Sequence, residues 1–246
     1  MSISLSRSNL LRRIQSMRKL VGHGLFAAGF ICVALAGSKA QAQEQTIHSG
    51  TEIKPGTLAG AYFSNRDFVA KILKYAKGFD LVLGIACNDG PYQIVDFVVS
   101  VQEPVSFSAA SKQPTAGTWI AKFEVDRCRR SKWYNLLMTV QPDGKIAETV
   151  MFPGTTITSR EMQPDVAGTF DHYARSLDPV IANCDNVHVF DTKMVKDRHT
   201  VTVQGKEYRD VWIEEWTLRG CNTEFRRQIL FVPDPTIDVT RFYIAK

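Results

Sequence analysis

Short catalytic signatures are missing from this chain. There is no G-x-S-x-G, H-E-x-x-H, G-x-x-x-x-G-K-[ST] or G-x-G-x-x-G run. A nucleophile elbow, a zincin helix, a phosphate-cradling loop and a dinucleotide fingerprint therefore lack support. No two cysteines have C-x-x-C spacing, which removes the thiol-oxidoreductase reading. Histidine is scarce at five residues, and no acidic residue occurs within positions 1–42.

That last absence shapes the front of the chain. Residues 1–42 carry Arg7, Arg12, Arg13, Arg18 and Lys19 ahead of the apolar stretch 20–37. Ala40-Gln41-Ala42 then supplies a small-x-small cleavage site, so the segment reads as a secretory leader with cleavage after Ala42. An uncleaved anchor is the competing reading, since the apolar stretch approaches the length of a membrane span. Arg12-Arg13 is followed by residues that fit a twin-arginine signal poorly, and Cys32 lacks the small residue that a lipoprotein site wants before it.

Removing the leader changes the charge argument. It holds six of the 30 basic residues and none of the 25 acidic ones, leaving 24 against 25, a net charge of about −1. A nucleic-acid partner, which needs a concentrated basic surface, is excluded on this ground. The remaining cluster of Arg127, Arg129, Arg130 and Lys132 reads as a solvated turn.

Four cysteines follow the leader: Cys87, Cys128, Cys184 and Cys221. An even count in an exported chain implies two disulfides. Their wide spacing supplies no paired metal ligands, so no metal and no cofactor is expected. Of the three connectivities, Cys87–Cys128 and Cys184–Cys221 are favoured by an apparent internal repeat. Trp119-Ile120 precedes Cys128, and Trp212-Ile213 precedes Cys221, with the same nine-residue offset. Each block runs on into an apolar strand that ends in Pro-Asp.

Hydrophobic periodicity fills in the elements. Phe68, Val69, Ile72, Leu73 and Ala76 share one face of a helix over 65–78, with Gly78 as its stop. Strands are expected at 79–86, 92–102, 118–126, 133–140 and 145–151. A second helix at 164–177 opens with Pro164, and strands follow near 179–183, 187–195, 198–203, 207–218, 225–232 and 237–244. The predicted fold is α+β: a tandem duplication of a helix followed by an antiparallel β-meander, each copy with one disulfide. The predicted organisation is leader 1–42, flexible lead-in 43–60, first repeat 61–152, linker 153–163 and second repeat 164–246.

Candidate functional residues are few. Trp119 and Trp212 are equivalent in the repeat and read chiefly as core, with binding the alternative. His172 follows Asp171 on the second helix, and His188 alternates with Val187 and Val189 in a strand. Either could serve a hydrolase site assembled with a distant acid. Glu214 and Glu215 are adjacent on a strand and so point to opposite faces, which rules out a carboxylate dyad. The Asn/Asp residues after Cys87 and Cys184 suit tight turns and supply too few ligands for calcium.

The block 212–234 and its counterpart 119–144 resemble a strand–cysteine–strand pattern of uncharacterised exported proteins of Gram-negative bacteria. In that pattern glycine often follows the cysteine; Arg129 and Asn222 stand there here. The resemblance implies a periplasmic location and disulfides, with no activity. The expectation is a periplasmic, non-catalytic module that binds a protein partner or an envelope component. A His/acid hydrolase and a small-ligand carrier with a pocket between helix and sheet are the alternatives. No nucleic acid and no stable membrane insertion after leader cleavage are expected.

Overall fold

The computed structural model describes residues 3–4, 44–87, 90–234, 236–237 and 239–245. The expected leader lies outside them except for Ile3–Ser4. No helix among the described residues is long and apolar enough to cross a membrane.

The strands are β1 (Ile3–Ser4), β2 (Gln45–Ile47), β3 (Gln93–Phe107), β4 (Pro114–Arg127), β5 (Arg130–Val140), β6 (Ile146–Met151), β7 (His188–Val203), β8 (Lys206–Gly220), β9 (Thr223–Asp234) and β10 (Val239–Ile244). The helices are α1 (Leu58–Phe63), α2 (Arg66–Val82), α3 (Gln163–Leu177) and α4 (Pro179–Ala182). A six-stranded antiparallel sheet runs β1-β3-β4-β5-β6, with β2 also on β3. A four-stranded antiparallel sheet runs β10-β9-β8-β7.

This architecture overturns the predicted tandem α+β duplication. The described residues are mostly antiparallel β, 49% strand against 21% helix, in two sheets of unequal strand number with four helices. The physical reason lies in strand length. β3, β4, β7 and β8 run 15, 14, 16 and 15 residues, so the sheets dominate and the helices only cap one face. Polar stretches expected to be loops or breaks, such as 103–107 and 196–197, stay in the ladder through β-bulges.

Several elements depart from expectation. α2 passes through Gly78 to Val82 and takes over part of the strand expected at 79–86. Its buried residues Phe68, Ile72, Ala76 and Asp80 recur every four positions. The favourable contacts of Phe79 and Asp80 outweigh glycine's cost of about 1 kcal/mol in a helix. Residues 179–183, expected as a strand, begin α4 instead. Asp178 caps it by accepting from the amides of Val180 and Ile181. Residues 43–60 include β2 and the start of α1, and Ile47 there is fully buried.

Two cores result. In the first, Tyr62, Phe63 and Phe68 of α1 and α2 meet Phe107, Trp119 and Phe123 of the sheet. In the second, Val166, Phe170 and Ala174 of α3 meet Trp216, Phe225 and Phe231. β4 shows the cause in its own sequence: Trp119, Ala121, Phe123 and Val125 face the helices and are buried. Buried side chains from helix and sheet make up the centre of each interface.

The disulfides pair Cys87 with Cys128 and Cys184 with Cys221, with Cα atoms 6.0 and 5.8 Å apart. Both hairpin cysteines lie at the tip of a two-residue turn. Cys128 and Arg129 have φ of 44° and 63°, and Cys221 and Asn222 have 48° and 62°. Two positive values in succession are what a type I′ turn demands, so glycine or asparagine fits the second position and arginine is strained there.

The cluster expected to be a solvated turn is partly internal. Arg127 and Lys132 are buried, Arg127 against a partner from α2 and Lys132 against the second sheet. Asp80 ion-pairs with Arg127 and accepts hydrogen bonds from Tyr134 (2.6 Å) and Tyr92 (2.9 Å). Lys132 donates to the Phe190 carbonyl of the second sheet and lies over the Phe190 ring. Burial pushes its ammonium down to about 8.

Candidate functional site

The segment 152–162 joins the two sheets and is held by both. The Gly154 amide donates to the Trp133 carbonyl and the Thr155 amide to that of Thr192. Gly154 has φ +106°, and a Cβ there would fall 1.9 Å from the Thr192 carbonyl oxygen, so only glycine fits. The next residues converge on Glu214, which is fully buried at the centre of β8. Its carboxylate accepts from Thr156 Oγ1 (2.8 Å), the Ile157 amide (2.9 Å), Thr158 Oγ1 (3.2 Å), Trp212 Nε1 (3.1 Å) and Trp216 Nε1 (2.8 Å). Five donors on two oxygens complete the group's hydrogen bonding, and its role is to anchor the segment.

The segment so anchored forms one wall of a groove of about 850 Å³ over the face of the first sheet turned away from α1 and α2. Three rungs make its floor. The outer rung is Glu103, Thr118 and Thr139; the middle one Ser100, Ile120 and Leu137; the inner one contains Lys122 and Asn135. Alternation along β4 places Thr118, Ile120 and Lys122 here, opposite the buried tryptophan row. Thr156 to Glu161 line one side, and Asp197 and Arg198 of β7 reach the rim.

The chemistry of the lining is mixed. Lys122, Arg160 and Arg198 balance Glu103, Glu161 and Asp197, and hydroxyl groups supply much of the rest. Lys122 Nζ donates to the Thr156 carbonyl at 3.0 Å. Burial lowers the pKa of its ammonium, and the Glu214 carboxylate pulls it back up. Asn135 donates to the carbonyls of Phe152 (2.7 Å) and Gly154 (3.0 Å), while its Oδ1 is buried without a partner. Among the described residues no group of three His, Cys, Asp or Glu could hold a metal ion.

None of the four tryptophan and histidine candidates lines this groove. Trp119 is fully buried in the first core, its Nε1 unpartnered. Trp212 stacks on Phe231 at 4.8 Å in the second core, with Arg198 over its ring. His172 is exposed on α3. His188 is exposed at the start of β7 and lines a smaller, mainly apolar cleft of about 290 Å³ with Asp171, Val150 and Phe79. Asp171 is bonded to Arg175 at 2.9 Å, and no hydrogen bond links it to His188.

Lys122, Asn135 and the threonines of 156–158 escaped the sequence reading. The signal for Lys122 was present in the alternation of 118–126, which puts a lone lysine on a face with Ile120 and Thr118. Asn135 and the threonines carry no such mark, because their placement depends on how segment 152–162 folds back. No protein-family model, no curated protein and no solved structure matches the chain.

Proposed function

We propose that this chain is an exported, periplasmic, non-catalytic binding module whose groove over the first sheet receives a protein partner or an envelope component. The observation that carries the reading is the groove itself. It is a polar, charge-balanced channel on a sheet face, with no residue of a described helix in its lining and a partly desolvated lysine on its floor. Such a face, lined by groups with spare hydrogen-bonding capacity, suits a ligand held by directional contacts. The basic, acid-free residues 1–42 and the two disulfides support export.

The test is twofold. Turnover measured across a broad hydrolase panel should be nil. Introducing Thr139→Trp, which fills the outer rung, should abolish binding of any envelope fraction that the native chain retains. Robust turnover lost on changing a single groove residue would reject the reading.

A second reading draws on the co-location of His188 and Asp171 in the apolar cleft, the residue types a His/acid hydrolase requires. It needs the imidazole to engage a carboxylate already held by Arg175. Activity abolished by His188→Ala and untouched by Thr139→Trp would favour it over the groove.

A further inference from the structure

The two disulfide-bonded hairpin tips lie at one end of the molecule. Lys132, near the start of β5, donates to the Phe190 carbonyl near the start of β7, so the two sheets begin side by side. Cys87–Cys128 ties the segment after α2 to the first tip, and Cys184–Cys221 ties the segment after α4 to the second. Val82 of α2 and Asp171 of α3 line the same cleft. Both helical layers therefore end here, and they end in bare aliphatic side chains. Leu81 and Val82 close α2 with 72% and 67% of their surface exposed, and Leu177 of α3 and Val180 of α4 are exposed as well. The end of α2 is also prepared to leave water. The carbonyls of Phe79, Asp80 and Leu81 already accept from the amides of Leu83, Ile85 and Gly84.

The charges around this patch share a sign. Lys77 and Lys74 stand one and two turns behind Leu81 on one face of α2, about 6 and 10 Å back along its axis. Lys77 lies over the Tyr92 ring and remains exposed. Arg129 and Arg130 are exposed at the tip that Cys128 fastens to the segment after α2. Among the described residues no salt bridge engages these four cations. The acids nearby are answered: Asp126 by Ser131, Asp171 by Arg175, Asp178 by the first amides of α4, and Glu224 by Arg219 and Arg226. Asp185 is exposed against the four cations.

We infer that this end docks on the surface of an anionic lipid bilayer, with Leu81 and Val82 entering the acyl boundary and the four cations at headgroup level. Aliphatic side chains at the front with Lys and Arg about 5–10 Å behind them match the layers of a bilayer interface. A protein interface enriches aromatic side chains and sheds lysine, the reverse of this composition. The patch shares no residue with the lining of the groove, so occupancy of one site does not require the other.

The chain purified after export would be sedimented with vesicles of phosphatidylcholine, alone or mixed equally with phosphatidylglycerol. It should bind the mixed vesicles, leave them as salt is raised, and bind the neutral ones at least about tenfold more weakly. Leu81→Ser combined with Val82→Ser should weaken binding at least about tenfold, and Lys77→Gln about fivefold. These side chains are exposed, and an unchanged thermal melt would show that each variant keeps the fold. Leu81→Trp gives a local reading on the native fold: lipids brominated on their acyl chains should quench the introduced indole. That quenching does not depend on whether residues 1–42 are still attached. Binding retained in full by the double serine variant, an indole left unquenched, or no binding to mixed vesicles at about 1 mM lipid would overturn the inference. A native chain that elutes as a dimer, and as a monomer once both residues are serine, would overturn it and assign the patch to a second copy.

Discussion

The two sheets bury a tryptophan nine residues before a hairpin cysteine, and they surround it differently. Two positions beyond Trp119 stands Ala121, and the indole sits among aromatic rings with its N–H unanswered. Two positions beyond Trp212 stands Glu214, which collects the indole N–H groups of Trp212 and Trp216 together with three donors from the connecting segment. The first sheet places its buried charge at the disulfide end instead, where Asp80 meets Arg127, Tyr134 and Tyr92. The same sequence spacing thus serves an apolar centre in one sheet and a polar anchor in the other. An identical motif specifies position in a strand without specifying the chemistry around it.

The sharpest way to break this comparison is at Glu214. Glu214→Gln puts an amide hydrogen against the N–H of Trp216 or Trp212 and should lower unfolding stability by about 3–5 kcal/mol, measured by urea denaturation. Loss under 1 kcal/mol would show that the anchor is not structural.

Next come the disulfides, which close spans of 41 and 37 residues. Replacing either pair by serine should cost about 4 kcal/mol in the chain-entropy description. Because the spans are nearly equal, the two losses should agree within about 1 kcal/mol. A marked inequality would mean that the buried charge network beside Cys87 contributes to one of them.

The halves should also respond differently to alkali. Lys132 titrates near 8 in the folded chain and about 10.5 when unfolded, so the folded state releases its proton first. Stability should therefore rise between about pH 8 and 10. Tyr62, Tyr75, Tyr92 and Tyr134 have raised values, chiefly through burial, with Tyr75 up to about 12. Their contribution is complete below pH 10 and is lost above it as the unfolded phenols ionise. Thermal melts should show a maximum near pH 10, and Lys132→Met should flatten the rising limb. A profile unaffected by that substitution would remove Lys132 as its source.

The two smallest effects test the tryptophans and the turns. Trp119→Phe removes an N–H with no partner and should cost less than Trp212→Phe, which takes a donor from Glu214. The difference should be about 1–2 kcal/mol by calorimetry. Arg129→Gly should stabilise by up to about 1 kcal/mol by relieving a positive φ, whereas Asn222→Gly should change little.

Much of this was legible in advance, and the misses have physical causes. Period-two alternation located β4, β5, β8 and β9 to within a few residues, because their buried rows are continuous. α2 was cut short at Gly78 because a local breaker was weighed without the tertiary contacts of Asp80. The strand expected at 179–183 became helical through the Asp178 cap. The candidate groove was hidden, because its inner rung acquires its character only when segment 152–162 folds back across the sheet.

One consequence follows from which thiols are joined. Each of the four described cysteines is bonded to its nearest neighbour along the chain, so the two covalent rings follow one another and neither encloses the other. A polypeptide emerging N-terminus first can close the Cys87–Cys128 ring before Cys184 has appeared, when Cys32 is the one other cysteine already out. In an exported chain of this pairing, oxidation could keep pace with emergence.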